Sequence, residues 1–396
     1  MYRSMKLAQR MSELMSEGAF TVLHKAQELE RQGKSIIHFE IGQPDFPTPR
    51  HIVSAGIKAL RMGKTKYTPS LGIYPLRKAL AKYITQKSGV KTLVNNIAVT
   101  PGCKTAIFCA LAAIINPGDE VMYPDPGFPA YESLIRFFGG KPVATPLVEE
   151  QQFSFDMAKF KKNFSHKTKA IILNSPGNPT GTLISLEDLK EIAKLVDKTK
   201  TWIVSDEIYS RIIYKGNPYF SMFSLPKMKE RTIIVDGYSK TYSMTGWRLG
   251  FLVAPEFMIN NIDLLLVNSV SCTAEFVQEA GLAALKDTQK PVGKMVAEFA
   301  KRRDFVISAL NDIPKVTCLK PQGAFYAFPN IKEYNKSSEE LASYILQDAG
   351  VALLPGTAFG KYGEGYLRIS YSTSMKNLEE GLRRMKDSLE KLQRLS

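Results

Sequence analysis

Short runs of apolar residues alternate along the chain with longer segments in which apolar positions recur every three or four residues. The short runs predict seven buried strands, at residues 97–100, 120–123, 143–145, 170–173, 202–205, 232–236 and 249–253. The intervening segments predict amphipathic helices, among them 102–115, 131–138 and 186–199. Strands that alternate with helices are typical of α/β proteins, so we expect a mostly parallel seven-stranded sheet with helices on both faces.

The pattern changes after residue 290. It predicts a long helix over 292–310, strands at 324–328, 351–354 and 366–370, and a charged helix that begins at Lys376. The N-terminal part predicts a helix over 19–32, a short strand over 35–41 and a turn over 42–47. The last hundred residues therefore predict a smaller α+β domain beside the large sheet.

Composition excludes several classes of protein. The chain has 396 residues, of which 44% are hydrophobic and 23% charged, so it is long enough for two or three domains and is neither fibrous nor disordered. Its longest apolar stretch, at 106–115, is far shorter than the ~18 residues that a membrane-spanning helix needs. The first twenty residues lack the apolar core of a secretory signal. We therefore expect a cytoplasmic protein that does not bind membranes.

Charge and metal-binding residues add little to this interpretation. Lysine and arginine total 53 against 38 acidic residues, a formal charge of +15, but the basic residues are spread along the chain. Since no zinc finger or aromatic-basic RNA-binding motif is present, nucleic acid is not expected as a partner. The four cysteines form no CxxC pair and the four histidines are dispersed, so no metal site is predicted.

Residues with catalytic potential follow the predicted strands. They lie in the segments 100–104, 174–181, 205–209 and 237–248. Because ligands of open α/β sheets bind at the carboxyl ends of the strands, we expect these segments to meet at one edge of the sheet. Together they supply an acid, a lysine, an arginine, a tyrosine, an asparagine and a glycine that begins a helix.

This set of residues suits one kind of ligand. A helix that begins after Gly102 would bind a phosphate together with Ser239 and Arg248. A buried Asp206 needs a cationic partner, and an amine at Lys240 beside other cations would have a lowered pKa and become a nucleophile. Pyridoxal 5′-phosphate (PLP) offers a phosphate, a protonated ring nitrogen and an aldehyde, so the residues predict PLP as the cofactor.

The same motifs resemble those of the fold-type I PLP-dependent aminotransferases of class I/II, the aspartate aminotransferase-like family. The resemblance runs from the turn Gly-Gln-Pro-Asp-Phe at 42–46 to Leu-Arg-Ile-Ser at 367–370. It implies a large cofactor-binding domain over 49–289 and a small domain formed by 1–48 and 290–396. It also implies a homodimer with shared active sites.

The resemblance assigns catalytic roles to Lys240, Asp206 and Tyr209. Lys240 would form the Schiff base with the cofactor and later move a proton, while Asp206 would pair with the ring nitrogen. Tyr209 and Asn178 would hydrogen-bond the phenolic oxygen of PLP, and Phe128 would stack on its ring.

The remaining roles concern the phosphate and the substrate. The phosphate would be held by Gly102, the backbone amides of Cys103 and Lys104, Ser239, Arg248, and Tyr67 of the neighbouring subunit. The substrate carboxylate would be bound by Arg368, Asn178 and the backbone of Gly42.

The implied reaction moves an amino group from an L-amino acid to a 2-oxo acid in a ping-pong cycle of the pyridoxal and pyridoxamine forms. The region 257–285, where some aspartate-specific relatives carry an arginine, contains neither arginine nor lysine. The arm at 17–21 offers no basic residue for an acidic substrate either. We therefore do not assign aspartate, and Phe20 would suit an aromatic or neutral side chain.

Three alternatives remain open. A carbon–sulfur β-lyase would share the cofactor, although such relatives commonly carry histidine where Tyr209 follows the Asp-Glu-Ile run. A cyclopropane-forming synthase belongs to the same group. A PLP-binding transcription regulator would need an N-terminal DNA-binding domain of about seventy residues, whereas the aminotransferase-like sequence begins near Ala19.

Overall fold

The structure is a computed structural model that describes residues 6–16 and 18–395. Residues 1–5, 17 and 396 lie outside the described part. They include both ends of the predicted small domain and Glu17 of the predicted arm. Helices occupy much of the chain. Those of the described residues are α1 (Gly18–Arg31), α2 (Arg50–Arg61), α3 (Tyr74–Ser88), α4 (Cys103–Ile114), α5 (Ala130–Phe137), α6 (Met157–Asn163), α7 (Leu186–Val196), α8 (Glu256–Val267), α9 (Glu275–Lys286), α10 (Lys290–Asn311), α11 (Ser338–Ala349) and α12 (Met375–Leu395).

Strands alternate with these helices in the first three quarters of the chain, and shorter strands follow in the last quarter. The strands of the described residues are β1 (Ile37–His38), β2 (Ile97–Thr100), β3 (Glu120–Asp125), β4 (Lys141–Val148), β5 (Ser154–Phe155), β6 (Thr168–Asn174), β7 (Trp202–Asp206), β8 (Thr232–Gly237), β9 (Gly250–Val253), β10 (Tyr326–Ala327), β11 (Val351–Ala352), β12 (Leu354–Pro355) and β13 (Leu367–Ser370).

The central sheet has the strand order β2-β9-β8-β7-β6-β3-β4-β5. Strands β8, β7, β6, β3 and β4 run parallel, whereas β9 is antiparallel to both of its neighbours. This confirms the predicted fold class. The prediction of seven strands was one too few, because the chain turns back after β4 through Gln152 and Phe153, both with positive φ, and adds β5 as a two-residue antiparallel edge strand.

Helices cover both faces of this sheet. In β6 and β7, Ile172 and Val204 pack into the core cluster that includes α4, while Ile171 and Ile203 pack with α6 and α7 on the other face. Because side chains alternate along a strand, a strand buried on both faces is apolar at successive positions. This explains why the strands appear in the sequence as uninterrupted apolar runs.

Small sheets connect the two ends of the chain. Strand β1 pairs in parallel with β11, and β13 lies between β10 and β12 in an antiparallel sheet. Ala26 of α1 packs with Leu346 and Ala352. The N-terminal helix therefore contacts the C-terminal part of the chain. The turn at 42–46 is held by its own contacts, in which Lys240 donates to the oxygen of Gly42 and Arg302 pairs with Asp45.

Candidate active site

The carboxyl ends of the parallel strands and the start of α4 border a cavity of about 420 Å³. Most of the side chains predicted for the site line this cavity: Gly42, Cys103, Lys104, Phe128, Asn178, Asp206, Tyr209, Ser239, Lys240, Arg248 and Arg368. Gly102 lies directly behind it as the N-cap of α4. The parallel topology thus brings together residues that are up to 326 positions apart in the chain.

Lys240 lies at the centre of the cavity. Its Nζ donates a hydrogen bond to the carbonyl oxygen of Gly42 at 2.5 Å. Burial and the nearby Arg368 guanidinium lower the pKa of Lys240 to about 8. At pH 7 roughly a tenth of an amine with this pKa is neutral, far more than of an ordinary lysine, and this fraction can act as a nucleophile or move a proton.

Asp206, the last residue of β7, is buried, and its carboxylate has three contacts. Tyr131 donates a hydrogen bond to Oδ2 at 2.7 Å, the amide of Ile208 donates to Oδ1 at 3.2 Å, and the Cys103 thiol lies 4.0 Å from Oδ1. Burial raises the pKa of Asp206 to about 6, and the hydrogen bonds of Tyr131 and Ile208 oppose this rise. A buried carboxylate in this state is stabilised by a cationic partner.

Asn174 and Asn178 lie in the segment 174–181, and Asn174 links Asp206 to Asn178. Asn174 donates from Nδ2 to the backbone oxygen of Asp206 at 3.1 Å and accepts the backbone amide of Asn178 at 3.0 Å. The Oδ1 atom of Asn178 is buried and has no hydrogen-bond partner among the described residues. Because unpaired buried polar atoms are costly, this oxygen is available for a ligand in the cavity.

Tyr209 is held by a residue that the sequence analysis did not single out. Its hydroxyl lies 2.6 Å from the hydroxyl of Tyr326, and the two rings meet edge to face. The hydroxyl of Tyr326 also occupies the space where a Cβ at Gly42 would lie. A larger residue at position 42 would therefore displace Tyr326 and, through it, Tyr209.

Arg368, on β13, is buried at the opposite side of the cavity. Its guanidinium donates from Nη2 to the backbone oxygen of Glu40 and lies over the rings of Tyr326 and Phe359, at 4.7 and 5.2 Å from their centroids. Its Nε is buried without a hydrogen-bond partner in the part of the chain that the structure describes. The arginine is thus preoriented with a donor left for an anionic ligand.

The first turn of α4 and Arg248 form an anion-binding corner. Gly102 has φ 84° and no side chain caps the helix, so the first backbone amides point toward the cavity. A Cβ at Gly102 would collide with the Arg248 guanidinium. The backbone conformation therefore favours glycine, and a larger residue would also force the Arg248 guanidinium to move. Ser239 is buried beside this corner and also lines the cavity.

Phe128 forms one wall of the cavity. Its ring packs edge to face against Tyr131 with 5.6 Å between the centroids, and Lys104 Nζ lies 5.4 Å from the Phe128 centroid. Tyr67 is the one predicted residue that lies away from the cavity, and its side chain is 88% exposed.

Tyr131, Tyr326 and Asn174 were missed as functional residues. Asn174 stood within a segment quoted for the site, and Tyr131 follows Phe128 by three positions, which places both on one side of the start of α5. Tyr326 had no such signal, because its aromatic neighbours Phe325 and Phe328 made the segment look like ordinary core.

The described residues form neither a metal-binding cluster nor a membrane-spanning helix. No group of three or more His, Cys, Asp or Glu side chains is placed to hold a metal ion within residues 6–16 and 18–395. Over the same residues, no helix has the length and apolar character needed to span a bilayer.

The fold and the cavity define an α/β enzyme with its site at the carboxyl ends of parallel strands, around a buried lysine and a buried acid. Residues 34–385 match the family model described as aminotransferase class I and II. The chain belongs to this family, whose members depend on PLP, and it is an aminotransferase.

Individual relatives agree with this assignment. The chain is 42% identical to an aspartate aminotransferase of Pyrococcus abyssi over 90% of its own length and 92% of the relative's. It is 39% identical to aromatic-amino-acid aminotransferase 2 of Thermococcus litoralis, over 93% and 95% of the two chains. The aspartate aminotransferase from Thermus thermophilus solved with maleate superposes with a TM-score of 0.93 at 34% identity, covering 97% of this chain and all of that one.

Proposed function

We propose that this aminotransferase uses PLP bound at Lys240 to move an amino group from an L-amino acid to a 2-oxo acid. One observation carries the proposal. The buried amine of Lys240, with its pKa lowered to about 8, shares a cavity with the buried carboxylate of Asp206 and with Arg368.

The residues of the cavity fit PLP. The uncapped start of α4, Ser239 and Arg248 would hold the phosphate, and Asp206 would hold a proton on the ring nitrogen. The side-chain NH2 of Asn178 and the hydroxyl of Tyr209, which both line the cavity, would donate hydrogen bonds to the phenolic oxygen. Phe128 would cover one face of the ring.

When bound, PLP supplies an aldehyde that reacts with amines and a protonated ring that accepts electrons from the substrate Cα. Arg368 binds the α-carboxylate through its guanidinium fork, with help from Asn178 and Gly42, and thereby orients the Cα–H bond. Lys240 then takes the proton from Cα, because its lowered pKa leaves part of the amine neutral and able to act as a base.

For the substrate side chain we propose an apolar or aromatic group. The wall of the cavity nearest α1 is formed by Phe20, Ile41, Leu354 and Phe359. The relatives named above include enzymes for aspartate and for aromatic amino acids. A half-reaction screen with phenylalanine, alanine and aspartate tests the proposal, and a clear preference for aspartate would contradict it.

We also propose a homodimer in which Tyr67 reaches the phosphate site of the partner subunit. The 88% exposed ring of Tyr67 supports this, as do exposed apolar side chains at Leu60, Phe257, Leu264 and Val267, which a partner subunit would cover. We further propose that the chain divides into a large domain over 49–289 and a small domain over 1–48 and 290–396. We also propose that the protein is cytoplasmic. The pairing of β1 with β11 supports a small domain made from both ends of the chain.

The decisive experiment locates the covalent link. The protein is incubated with PLP, reduced with borohydride and digested, and we expect the pyridoxyl group on the peptide that contains Lys240. Lys240→Ala should lose the label and at least ~10³-fold of the turnover rate, since it lacks both the nucleophile and the base. Lys161→Ala, which removes a surface lysine paired with Glu191, should retain both. A label on another lysine would refute the proposal.

A further inference from the structure

A second group of buried charges lies at the ends of β7 and β8, directly behind the residues of the cavity. It consists of one cation, Lys87 of α3, and two acids, Glu207 and Asp236. Lys87 Nζ lies 2.7 Å from Glu207 Oε2 and 3.4 Å from Asp236 Oδ2, and it donates to Ser210 Oγ at 2.6 Å. We call these three charged residues the Lys87 cluster.

The Lys87 cluster is almost closed to solvent. The side chains of Lys87, Glu207 and Asp236 are 13%, 2% and 6% exposed. Two aromatic rings flank the ammonium, with the Tyr83 and Tyr219 centroids at 5.8 and 5.5 Å. A buried ion group of this kind is strongly destabilised when one partner is removed, because the remaining charge is left uncompensated.

The cluster is joined to the proposed catalytic residues through the backbone. Glu207 directly follows Asp206, and its amide donates to the oxygen of Val235 at 2.9 Å. Asp236 accepts the amide of Gly237 at 2.7 Å, three residues before Lys240. Lys87 thus ties together the end of β7, which carries the proposed cofactor acid, and the end of β8, which the proposed cofactor lysine follows by three residues.

The charges of the Lys87 cluster influence the pKa of Asp206. Although burial opposes it, Lys87 keeps the pKa of Glu207 below its ordinary value, so this acid is ionised. Burial raises the pKa of Asp236 to about 7, against the effect of Lys87. The negative charge of Glu207 contributes to the raised pKa of Asp206. Without Lys87, that negative charge would be uncompensated behind the cavity.

We propose that Lys87 is a positioning residue for the transamination site. Its ammonium group holds the ends of β7 and β8 together and cancels the negative charge of Glu207 behind Asp206. The inference rests on the proposed roles of Asp206 and Lys240. The titratable and charged groups that face the cluster from the surrounding elements are Tyr83, Cys103, Asp206, Arg211, Tyr219, Tyr238 and Tyr242.

The test is a double-mutant cycle on the holoenzyme, in which the visible absorption of bound PLP is titrated against pH. Lys87→Met leaves extra negative charge, which favours protonated forms, so the midpoint should rise by about one pH unit. Glu207→Gln leaves extra positive charge and should lower it by a similar amount. Lys87→Met combined with Glu207→Gln should return the midpoint to within about 0.3 unit of wild type.

Two controls separate charge from packing. Lys87→Arg keeps the cation and should keep the wild-type midpoint, and Lys391→Met removes a lysine paired with the distant Asp348 and should leave the midpoint unchanged. The thermal unfolding of each apoprotein is measured in parallel. If Lys87→Met and Glu207→Gln lower the unfolding temperature but leave the midpoint unchanged, or shift it in the same direction, Lys87 is a packing residue and the inference is wrong.

Two further outcomes are informative. Should Lys87→Met not fold, the comparison of Glu207→Gln with the double variant measures the same contribution, and the double variant should have the higher midpoint. A wild-type protein that binds no PLP, or is labelled away from Lys240, would overturn the proposed function itself. A labelled wild type whose cycle shows no opposing shifts would overturn only the role of Lys87.

Discussion

The hydroxyl of Tyr131 donates a hydrogen bond to Asp206 Oδ2 at 2.7 Å, and both side chains are almost completely buried. The same tyrosine packs edge to face against Phe128. Tyr131 therefore links the acid at the end of β7 to the aromatic wall of the cavity. A hydrogen bond to the ionised form of a buried acid lowers its pKa and holds it in place.

We expect Tyr131→Phe to weaken PLP binding by about tenfold, because loss of one hydrogen bond to a charged group costs about 1.5 kcal/mol. The pKa of Asp206 should rise, since the hydrogen bond of Tyr131 opposes the effect of burial. Equilibrium titration of the apoprotein with PLP measures the loss. Tyr214→Phe removes another buried hydroxyl, bonded to Ala324, and should lower stability without changing affinity. Equal affinities of wild type and Tyr131→Phe would contradict the prediction.

The lowered pKa of Lys240 should be visible in the apoprotein. As the pH rises through about 8 this amine loses its proton, so competitive acylation should modify Lys240 with a midpoint near pH 8. Surface lysines should react with midpoints near ~10.4. Arg368→Met removes a nearby cation that lowers the pKa of Lys240, so the acylation midpoint of Lys240 should be higher in this variant than in wild type. Mass spectrometry of the labelled peptides gives each midpoint, and an unshifted Lys240 would be inconsistent with the structure.

Arg368→Lys should separate substrate binding from cofactor binding. Lysine keeps the charge but cannot reproduce the planar fork, so kcat/KM for the amino acid should fall by ~10²-fold or more. PLP affinity should stay within a factor of about two, because the proposed role of Arg368 is to bind the substrate carboxylate and not the cofactor. Steady-state kinetics and apoprotein titration give the two values. A large loss of PLP affinity would place Arg368 at the cofactor instead.

His38 should make stability depend on pH. Hydrogen bonding to Glu40, opposed by burial and assisted by Glu30, raises the pKa of His38 to about 9 from an ordinary value of 6.5. The contribution is therefore fully present below about pH 6.5 and is lost as the pH rises to about 9. Since the ring is 34% exposed, we expect about 1–2 kcal/mol rather than the full linkage value.

His38→Gln tests this dependence. The variant should unfold at lower temperature than wild type at pH 6, and the difference should shrink as the pH approaches 10. Thermal unfolding of both apoproteins over this range gives the comparison. A difference that does not change with pH would mean that packing, and not charge, accounts for the effect of His38.

Much of the fold follows from local patterns. Strand β2 has the predicted bounds, and helices such as α4 and α10 differ from their predicted ranges by one or two residues at each end. Helix α8 was not singled out, because its apolar residues surround much of the helix and leave no clear amphipathic face. Helix α9 was also not singled out, although its buried residues follow helical spacing. Strand β5 has only two residues, too few for a pattern, and forms because a turn places them beside β4.

The sequence by itself determined the residue types on which the proposed chemistry of the site depends. Arg248, Asp206, Lys240 and Arg368 stand in motifs whose residue types suit a phosphate, a cationic ring, an aldehyde and a carboxylate, respectively. The order of strands and helices put most of these motifs at one edge of the sheet. Tertiary structure decided which groups surround them. The contacts of Tyr131 with Asp206, Tyr326 with Tyr209 and Lys87 with Glu207 join residues 75, 117 and 120 positions apart. Such pairings leave no trace in local periodicity, because only the packing of the folded chain brings the partners together.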